Sequence, residues 1–348
     1  MGCYSQIKPN EIDADIVIGN KDKSKIVELI NEYLETKKQI KRVYDIRKIC
    51  FEPMIIDKFE NHTRAFVKIQ EGCNAFCSYC IIPYTRGGLR SKDEDEVVKE
   101  VTNLVNNGYK EIVLTGIHTG RYGIEKNTSL EHLLTRLINI PNIFRIRLSS
   151  IEINEITDEI LSLIKNNDVI ANHLHIPLQS GSDKILKLMN RHYNVEYFLN
   201  RIEEIRKIIP NISITTDLIV GFPNETDEDF NDTINTLKKI KFTKIHTFPY
   251  SKREGTPASK MDNQVDGNIK KQRVHIVLEL SDKFELEFYK KNINKEYEVV
   301  TELKKNNISI GYTSNYIPII INEKLDNEIV TVKIEKVLDD KSVYGKIK

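Results

Sequence analysis

From Phe66 to about Phe248 short strand-like apolar runs alternate with helical ones, and that alternation leaves few folds open. Parallel strands need a long crossover between them, usually a helix, so the pattern predicts a parallel α/β core. The first strand is AFVKIQ. Ser91 is expected to begin the next helix, with Glu94 completing a capping box, Val97, Val98, Val101, Leu104 and Val105 on one face, and Gly108 ending it. Strand EIVLTG precedes helix LEHLLTRLI, FRIRLSS precedes DEILSLI, and HLHIPLQ precedes a helical run from Val195 to Ile208. ISITTDLIVG is then followed by EDFNDTINTLKKI, and TKIHTFPY is the last strand. Such repeated units predict a barrel or part-barrel of the (β/α)6 kind.

Two strands say what kind of barrel it is. Phe144, Ile146 and Leu148 alternate with Arg145, Arg147 and Ser149, and Leu174, Ile176 and Leu178 alternate with His173, His175 and Gln179. Period two sends the apolar set to one sheet face and the polar set to the other. With helices outside, the polar set faces the lumen, which predicts a wider barrel built to hold something polar. Before about Asp57 there are one strand, ADIVIG, and one helix, SKIVELINEYLE. After Glu287, β-like runs with Asn and Lys at their turns predict a small all-β barrel.

The loop after the first strand, EGCNAFCSYCIIPYTRGG, holds Cys73, Cys77 and Cys80. The other cysteines are Cys3 and Cys50. An odd count with three crowded together does not make a disulfide framework, and no apolar leader or spanning run is present, so a cytoplasmic protein without membrane attachment is expected. The formal charge of +1 gives bulk electrostatics no preference for nucleic acid. Three thiolates at this spacing can hold an iron–sulfur cubane with one iron left open. The competing reading is a zinc site completed by His118, His173 or His175, none of them at finger-like spacing.

CxxxCxxC after the first strand of an α/β barrel resembles the signature of radical S-adenosylmethionine enzymes, and the surrounding words resemble their methylthiotransferase branch. The likeness runs through GCYSQ, GCNAFCSYCIIPYTRGGLRS, LTGIHTGRYG, LHIPLQSGSDKILKLMNRHY, TTDLIVGFPNET and FPYSKREGTPA, into a tail similar to the RNA-binding TRAM domain. The resemblance implies a remnant of the N-terminal domain and linker at 1–57, a radical SAM barrel at 58–286 and a TRAM-like barrel at 287–348. It also implies a [4Fe-4S] cluster with S-adenosylmethionine on the open iron, a 5′-deoxyadenosyl radical, and an electron donor such as a flavodoxin or ferredoxin. LTGIHTGRYG is most similar to the branch that methylthiolates N6-threonylcarbamoyladenosine at position 37, in the tRNA anticodon loop. The alternatives are an isopentenyladenosine tRNA enzyme, a ribosomal-protein aspartate enzyme, and an idle RNA-binding remnant.

By matching position, Cys73, Cys77 and Cys80 are implied as cluster ligands, and Tyr79 as a neighbour of the adenine. Thr115 and Gly116 are implied near the methionine amino group. Ser149, Ser150, Glu152, Gln179 and Ser180 are candidates for ribose or carboxylate contacts, and Val220, Gly221 and Phe222 lie where Gly221 would let the backbone approach adenine. Their plainer readings are turns, a helix cap and a solvated charge; Arg191 is read as an anion anchor or a surface ion pair. In the tail, Tyr289, Lys290, Lys291, Lys304, Lys305, Tyr312 and Tyr316 are the candidates for RNA contact. The family also carries an auxiliary [4Fe-4S] cluster. Cys3 matches one of its ligands, and the two expected earlier are not in this chain. The expectation is therefore an N-terminally truncated reading that cleaves S-adenosylmethionine but is defective in sulfur insertion.

Overall fold

The computed structural model describes residues 1–52, 54, 56, 63–304 and 308–348, so the boundary near Asp57 and Lys305 lie outside the described residues. The chain opens with α1 (Cys3–Ile7), β1 (Ile16–Ile18), α2 (Ile26–Thr36) and β2 (Ile40–Arg42). β1 and β2 pair in parallel, and Ile18, Leu29 and Ile40 make a small core of their own. The strand β2 has too little periodicity to be seen in the sequence.

The barrel follows with β3 (Arg64–Lys68), β4 (Gln70–Glu71), α3 (Ile82–Arg86), β5 (Arg90–Ser91), α4 (Glu94–Asn106), β6 (Glu111–Thr115), α5 (Leu130–Leu137), β7 (Arg145–Leu148) and α6 (Asp158–Asn166). It continues with β8 (His173–His175), α7 (Asp183–Leu188), α8 (Val195–Ile208), β9 (Ser213–Val220), α9 (Asp227–Ile240) and β10 (Lys244–Pro249). Parallel sheets β3-β6-β7 and β8-β9-β10 are joined edge to edge by the bridges Ile146↔Ile170 and Ser150↔His175. The strands therefore stand side by side in chain order. Their apolar faces, with Ile112, Leu114, Ile146, Leu148, Leu174 and Ile214, pack in one continuous core against Val101, Leu104, Leu133 and Leu137 of the helices.

One expected helix start is corrected. Ser91 is not a cap: it lies in β5, paired with Gln70, and its Oγ accepts from the Gly123 N–H. Asp93 caps α4 by accepting from the Asp95 N–H, a better position because the Asp93 carboxylate also faces the positive end of the helix.

Beyond β10 lies a helix with no strong sequence signature, α10 (Gly267–Lys290). It buries Arg273 and Glu285 as well as Val277, Ser281 and Phe284, so it shows no clean apolar stripe. The tail then forms a closed barrel from β11 (Glu296–Leu303), β12 (Ser309–Tyr312), β13 (Pro318–Ile321), β14 (Ile329–Val337) and β15 (Val343–Ile347), in the order β11-β12-β13-β15-β14. Among the described residues no helix is long and apolar enough to cross a membrane.

The tail closes the N-terminal end of the large barrel. Glu111, at the start of β6, is buried and receives Arg145 at 3.2 Å and Arg147 at 2.9 Å. The same guanidiniums donate to tail carbonyls: Arg145 to Tyr312 (2.7 Å) and Glu298 (2.9 Å), Arg147 to Thr313 (3.2 Å) and Ser314 (3.3 Å). Burial works against the Glu111 charge, but Arg147 and Arg145 outweigh it and hold the carboxyl below its ordinary range. Between this seal and the polar faces of β7 to β10 is a cavity of ≈ 460 Å3, with Ser149, His173, His175, Thr215 and Tyr316 on its walls. Thr215 Oγ1 bonds both His173 Nε2 (3.0 Å) and His175 Nδ1 (2.9 Å), as expected of polar lumen positions.

Glu111→Gln leaves two buried guanidiniums without a counter-charge and is expected to cost about 3–5 kcal/mol. Urea unfolding measures it; a loss below about 1 kcal/mol would show that the tail carbonyls alone suffice.

Candidate active site at the cysteine loop

The cysteines sit at the opposite end, on the loop leaving β4. Gly72 begins it at φ +78, where a Cβ would fall 1.9 Å from the Gly88 carbonyl, so only glycine fits. Distant elements hold the loop in place: Ser78 N donates to Met189 O (3.0 Å), Ala258 N to Ser78 O (2.8 Å), and Asn190 Nδ2 to the Ala75 and Phe76 carbonyls (3.2 Å each). Cys80 N closes a turn onto Cys77 O at 2.9 Å.

All three thiols are free, Cys77 buried and the others half-buried. Desolvation pushes the Cys77 thiol up, against Arg191, and pushes Cys80 up to about 11. Each of Cys73 and Cys77 lies close enough to Cys80 to act on its charge. Among the described residues no three His, Cys, Asp or Glu side chains close around one metal position. In a cubane each iron takes its own thiolate, so three soft thiols on one loop are the donor set it needs. The donor set of soft thiols, one buried and two half-buried, with cations beside two of them, fits the iron–sulfur group.

Those cations are Arg191 and His118. Arg191 is buried, not at the surface: NH1 lies 3.4 Å from Cys77 Sγ, Nε donates to the Tyr193 hydroxyl at 3.2 Å, and NH2 pairs with Glu152 at 2.8 Å. His118 has Nδ1 3.3 Å from Cys73 Sγ and Nε2 2.8 Å from Glu155 Oε1. Burial opposes its charged form, but the bonds to Cys73 and Glu155 outweigh burial and push its pKa up to about 10. Glu155 can come so close because residue 120 is glycine; a Cβ there would meet its Oε2 at 2.5 Å. Arg191 and Glu155 carried no signal beyond their places in MNRHY and after the third strand.

Several expected contacts are brought to the mouth and others are not. Thr115 ends β6 and Gly116 follows it, tight against Gln70 and Thr119. Ser149 Oγ bonds Thr119 Oγ1 at 2.8 Å, Ser150 lines the cavity, and Glu152 is engaged by Arg191. Gln179 takes φ +63 and passes its carbonyl to Ile219. Tyr79 packs in a cluster with Phe222, Tyr250 and Met189.

Ser180, Val220, Gly221 and Phe222 are packed against neighbouring elements. Ser180 is fully buried, its Oγ 3.5 Å from Thr233 Oγ1 of α9, so the side chain points away from the lumen. Val220 and Phe222 are likewise core residues. Gly221 does take φ +68, but the space over it is filled by Lys270 of α10, whose Cγ would stand 2.3 Å from a Cβ. Cys3, at the start of α1, has Asn20 Nδ2 3.8 Å from its Sγ; burial opposes its thiolate, yet Arg86 and hydrogen bonds outweigh it and lower the pKa. Cys50 is exposed.

A partial parallel barrel with three thiols at its C-terminal mouth and a small β-barrel sealing its other end is the architecture of a radical SAM enzyme carrying a TRAM domain. The family descriptions agree: Radical SAM superfamily matches residues 67–237, and TRAM domain matches residues 290–348. The chain is 45% identical over 349 residues to the threonylcarbamoyladenosine tRNA methylthiotransferase MtaB of Bacillus subtilis, spanning 96% of this chain and 77% of that one. It is 43% identical to the MtaB of Aquifex aeolicus, over 91% and 78% of the two chains. To the tRNA-2-methylthio-N(6)-dimethylallyladenosine synthase of Clostridium tetani it is 39% identical, over 93% and 73%. Among solved structures, the coproporphyrinogen III oxidase of Escherichia coli aligns at TM-score 0.48 and 13% identity, over 80% and 68%. The chain belongs to the radical SAM tRNA methylthiotransferases.

Gly221→Ala is expected to cost about 1–2 kcal/mol through its left-handed backbone, read as a lower thermal midpoint. Adding Lys270→Ala should relieve the collision and leave the backbone cost; full recovery would mean that the φ value is not strained.

Proposed function

We propose that this chain methylthiolates N6-threonylcarbamoyladenosine in tRNA, at C2 of adenosine 37. The observation that carries the reading is the 45% identity, over nearly the whole chain, with a relative named for that substrate. Two further relatives of the same name stand at 43% and 39%. Dimethylallyladenosine synthases begin at 39%, which makes dimethylallyladenosine the second reading.

In this proposal Cys73, Cys77 and Cys80 hold the [4Fe-4S] cluster, and S-adenosylmethionine takes the open iron. When bound, the pair supplies the 5′-deoxyadenosyl radical that removes the C2 hydrogen, after an electron arrives from a donor such as a flavodoxin or ferredoxin. The chain's own part is placement. The bonds from Met189, Asn190 and Ala258 fix the loop, so the thiols need little reorganisation. Arg191 and His118 set positive charge beside Cys77 and Cys73, and Glu152 and Glu155 hold those two side chains in position. Thr115, Gly116, Ser149, Ser150, Glu152 and Gln179 are the proposed cofactor contacts, with Tyr79 forming an apolar wall that keeps water out.

The test is anaerobic reconstitution, then turnover with S-adenosylmethionine, reductant and tRNA, read by mass spectrometry of digested nucleosides. Methylthio mass on the threonylcarbamoyl nucleoside is expected and would end the expectation of a defect in sulfur insertion; on the dimethylallyl nucleoside it would support the second reading; 5′-deoxyadenosine formed with either tRNA but no methylthio mass would be that defect, and no 5′-deoxyadenosine with either tRNA would sink both readings. Cys→Ala at 73, 77 or 80 should each abolish the loop's share of about four irons and all S-adenosylmethionine cleavage. A variant retaining both would remove that residue from the ligand set.

A further inference from the structure

The tail aromatics expected to meet RNA are turned inward. Tyr312 and Tyr316 face each other at 5.4 Å; Arg64 lies 4.8 Å from the Tyr312 ring and Arg147 lies 4.4 Å from the Tyr316 ring. Tyr316 also stacks on His173 at 5.0 Å, and Tyr289 is buried. Among the described residues of the tail barrel the one exposed large apolar side chain is Ile329. Rings more exposed than these, able to stack on unpaired bases in the usual way a protein holds single-stranded RNA, lie elsewhere on the chain.

Such rings stand at the cysteine mouth. Phe76, between Cys73 and Cys77, is 48% exposed and Tyr84 of α3 is 45% exposed. Their rings meet edge to face, 5.8 Å apart. Phe76 has φ +49, an uncommon conformation for a bulky residue. Its carbonyl accepts from Asn190, so the ring is held out into solvent on a fixed backbone. An exposed phenyl on a strained backbone is an expensive arrangement for a ring with nothing to bind.

The segment after β10 borders the same loop. Ala258 N bonds Ser78 O, and a Cβ at Gly255 would lie 3.7 Å from Ile81. This segment carries Lys252 and Arg253, both exposed. Among the described residues the recorded ion pairs include neither of them, whereas their neighbour Glu254 is taken by Lys8 at 2.9 Å. Aromatic rings on the cysteine loop and α3, with free cations on the segment that borders that loop, match bases alternating with phosphates.

We propose that Phe76 and Tyr84, with Lys252 and Arg253, form a docking rim for the unpaired RNA bases that flank the modified adenosine. The inference rests on tRNA being the substrate. A base drawn into the mouth leaves its neighbours unstacked at the edge, and the rim gives them rings to stack on while the cations hold the adjoining phosphates.

The experiment is equilibrium binding of a tRNA transcript to the reconstituted full chain across a salt series, with iron content as the check on each variant. Phe76→Ala and Tyr84→Ala should each weaken binding roughly tenfold, and Phe76→Tyr should bind like the parent. Lys252→Ala with Arg253→Ala should lower the slope of log affinity against log salt by about one to two. The two cation substitutions lie off the cysteine loop, so they test the rim even where Phe76→Ala loses iron. Tight binding by the parent together with unchanged affinity and slope in Tyr84→Ala and the cation variant would overturn the rim and leave the tRNA reading intact. A parent chain that binds tRNA no better than an unrelated RNA would overturn both.

Discussion

One buried carboxylate organises the molecule. Glu111 holds two arginines of the adjacent strand in the lumen, and a single negative charge cannot neutralise both. The remaining donors are spent on main-chain carbonyls of the tail, from Glu298 and from Tyr312 to Ser314. A barrel with arginines inside is stable only when something closes it from below, and the tail supplies the acceptors without bringing in more charge. This explains why the sheet can keep a polar lumen: the apolar burial that stabilises it lies on the helix side, in the continuous outer core.

With that end sealed, chemistry is confined to the opposite mouth. The cysteine loop is held by more than its neighbours in sequence. It is also pinned by residues more than a hundred positions away, Leu188 to Asn190 at the end of α7 and Ala258 after β10. The thiol geometry therefore depends on the whole barrel having closed, while the loop itself contributes the turn at Cys77–Cys80, the glycine at its start and the bond from Cys73 N to the Gly87 carbonyl.

The strand order and the cysteine loop were legible because both follow from short-range patterns, period two in strands and fixed spacing in the loop. What was not legible depends on partners. Ser91 and Asp93 are equally good cap residues in sequence; strand pairing with Gln70 removes one of them. Ser180 and Gln179 are adjacent, yet Ser180 is buried against α9 while Gln179 stays partly exposed with its backbone bonded to β9. Gly221 was read as a place where the backbone could approach adenine; it takes φ +68, and the neighbour over it is Lys270, on a helix whose mixed buried face hides it from any periodicity. Tyr312 and Tyr316 look like an RNA surface until Arg64 and Arg147 arrive above them.

The docking of the tail also limits what can be learned by taking the chain apart. Cut free, the small barrel would uncover the Tyr312 and Tyr316 rings and four carbonyls that the intact molecule keeps occupied. Such a fragment would present to solvent an aromatic, acceptor-rich face that the enzyme itself never offers. Any affinity measured on it would belong to the wound rather than to the protein.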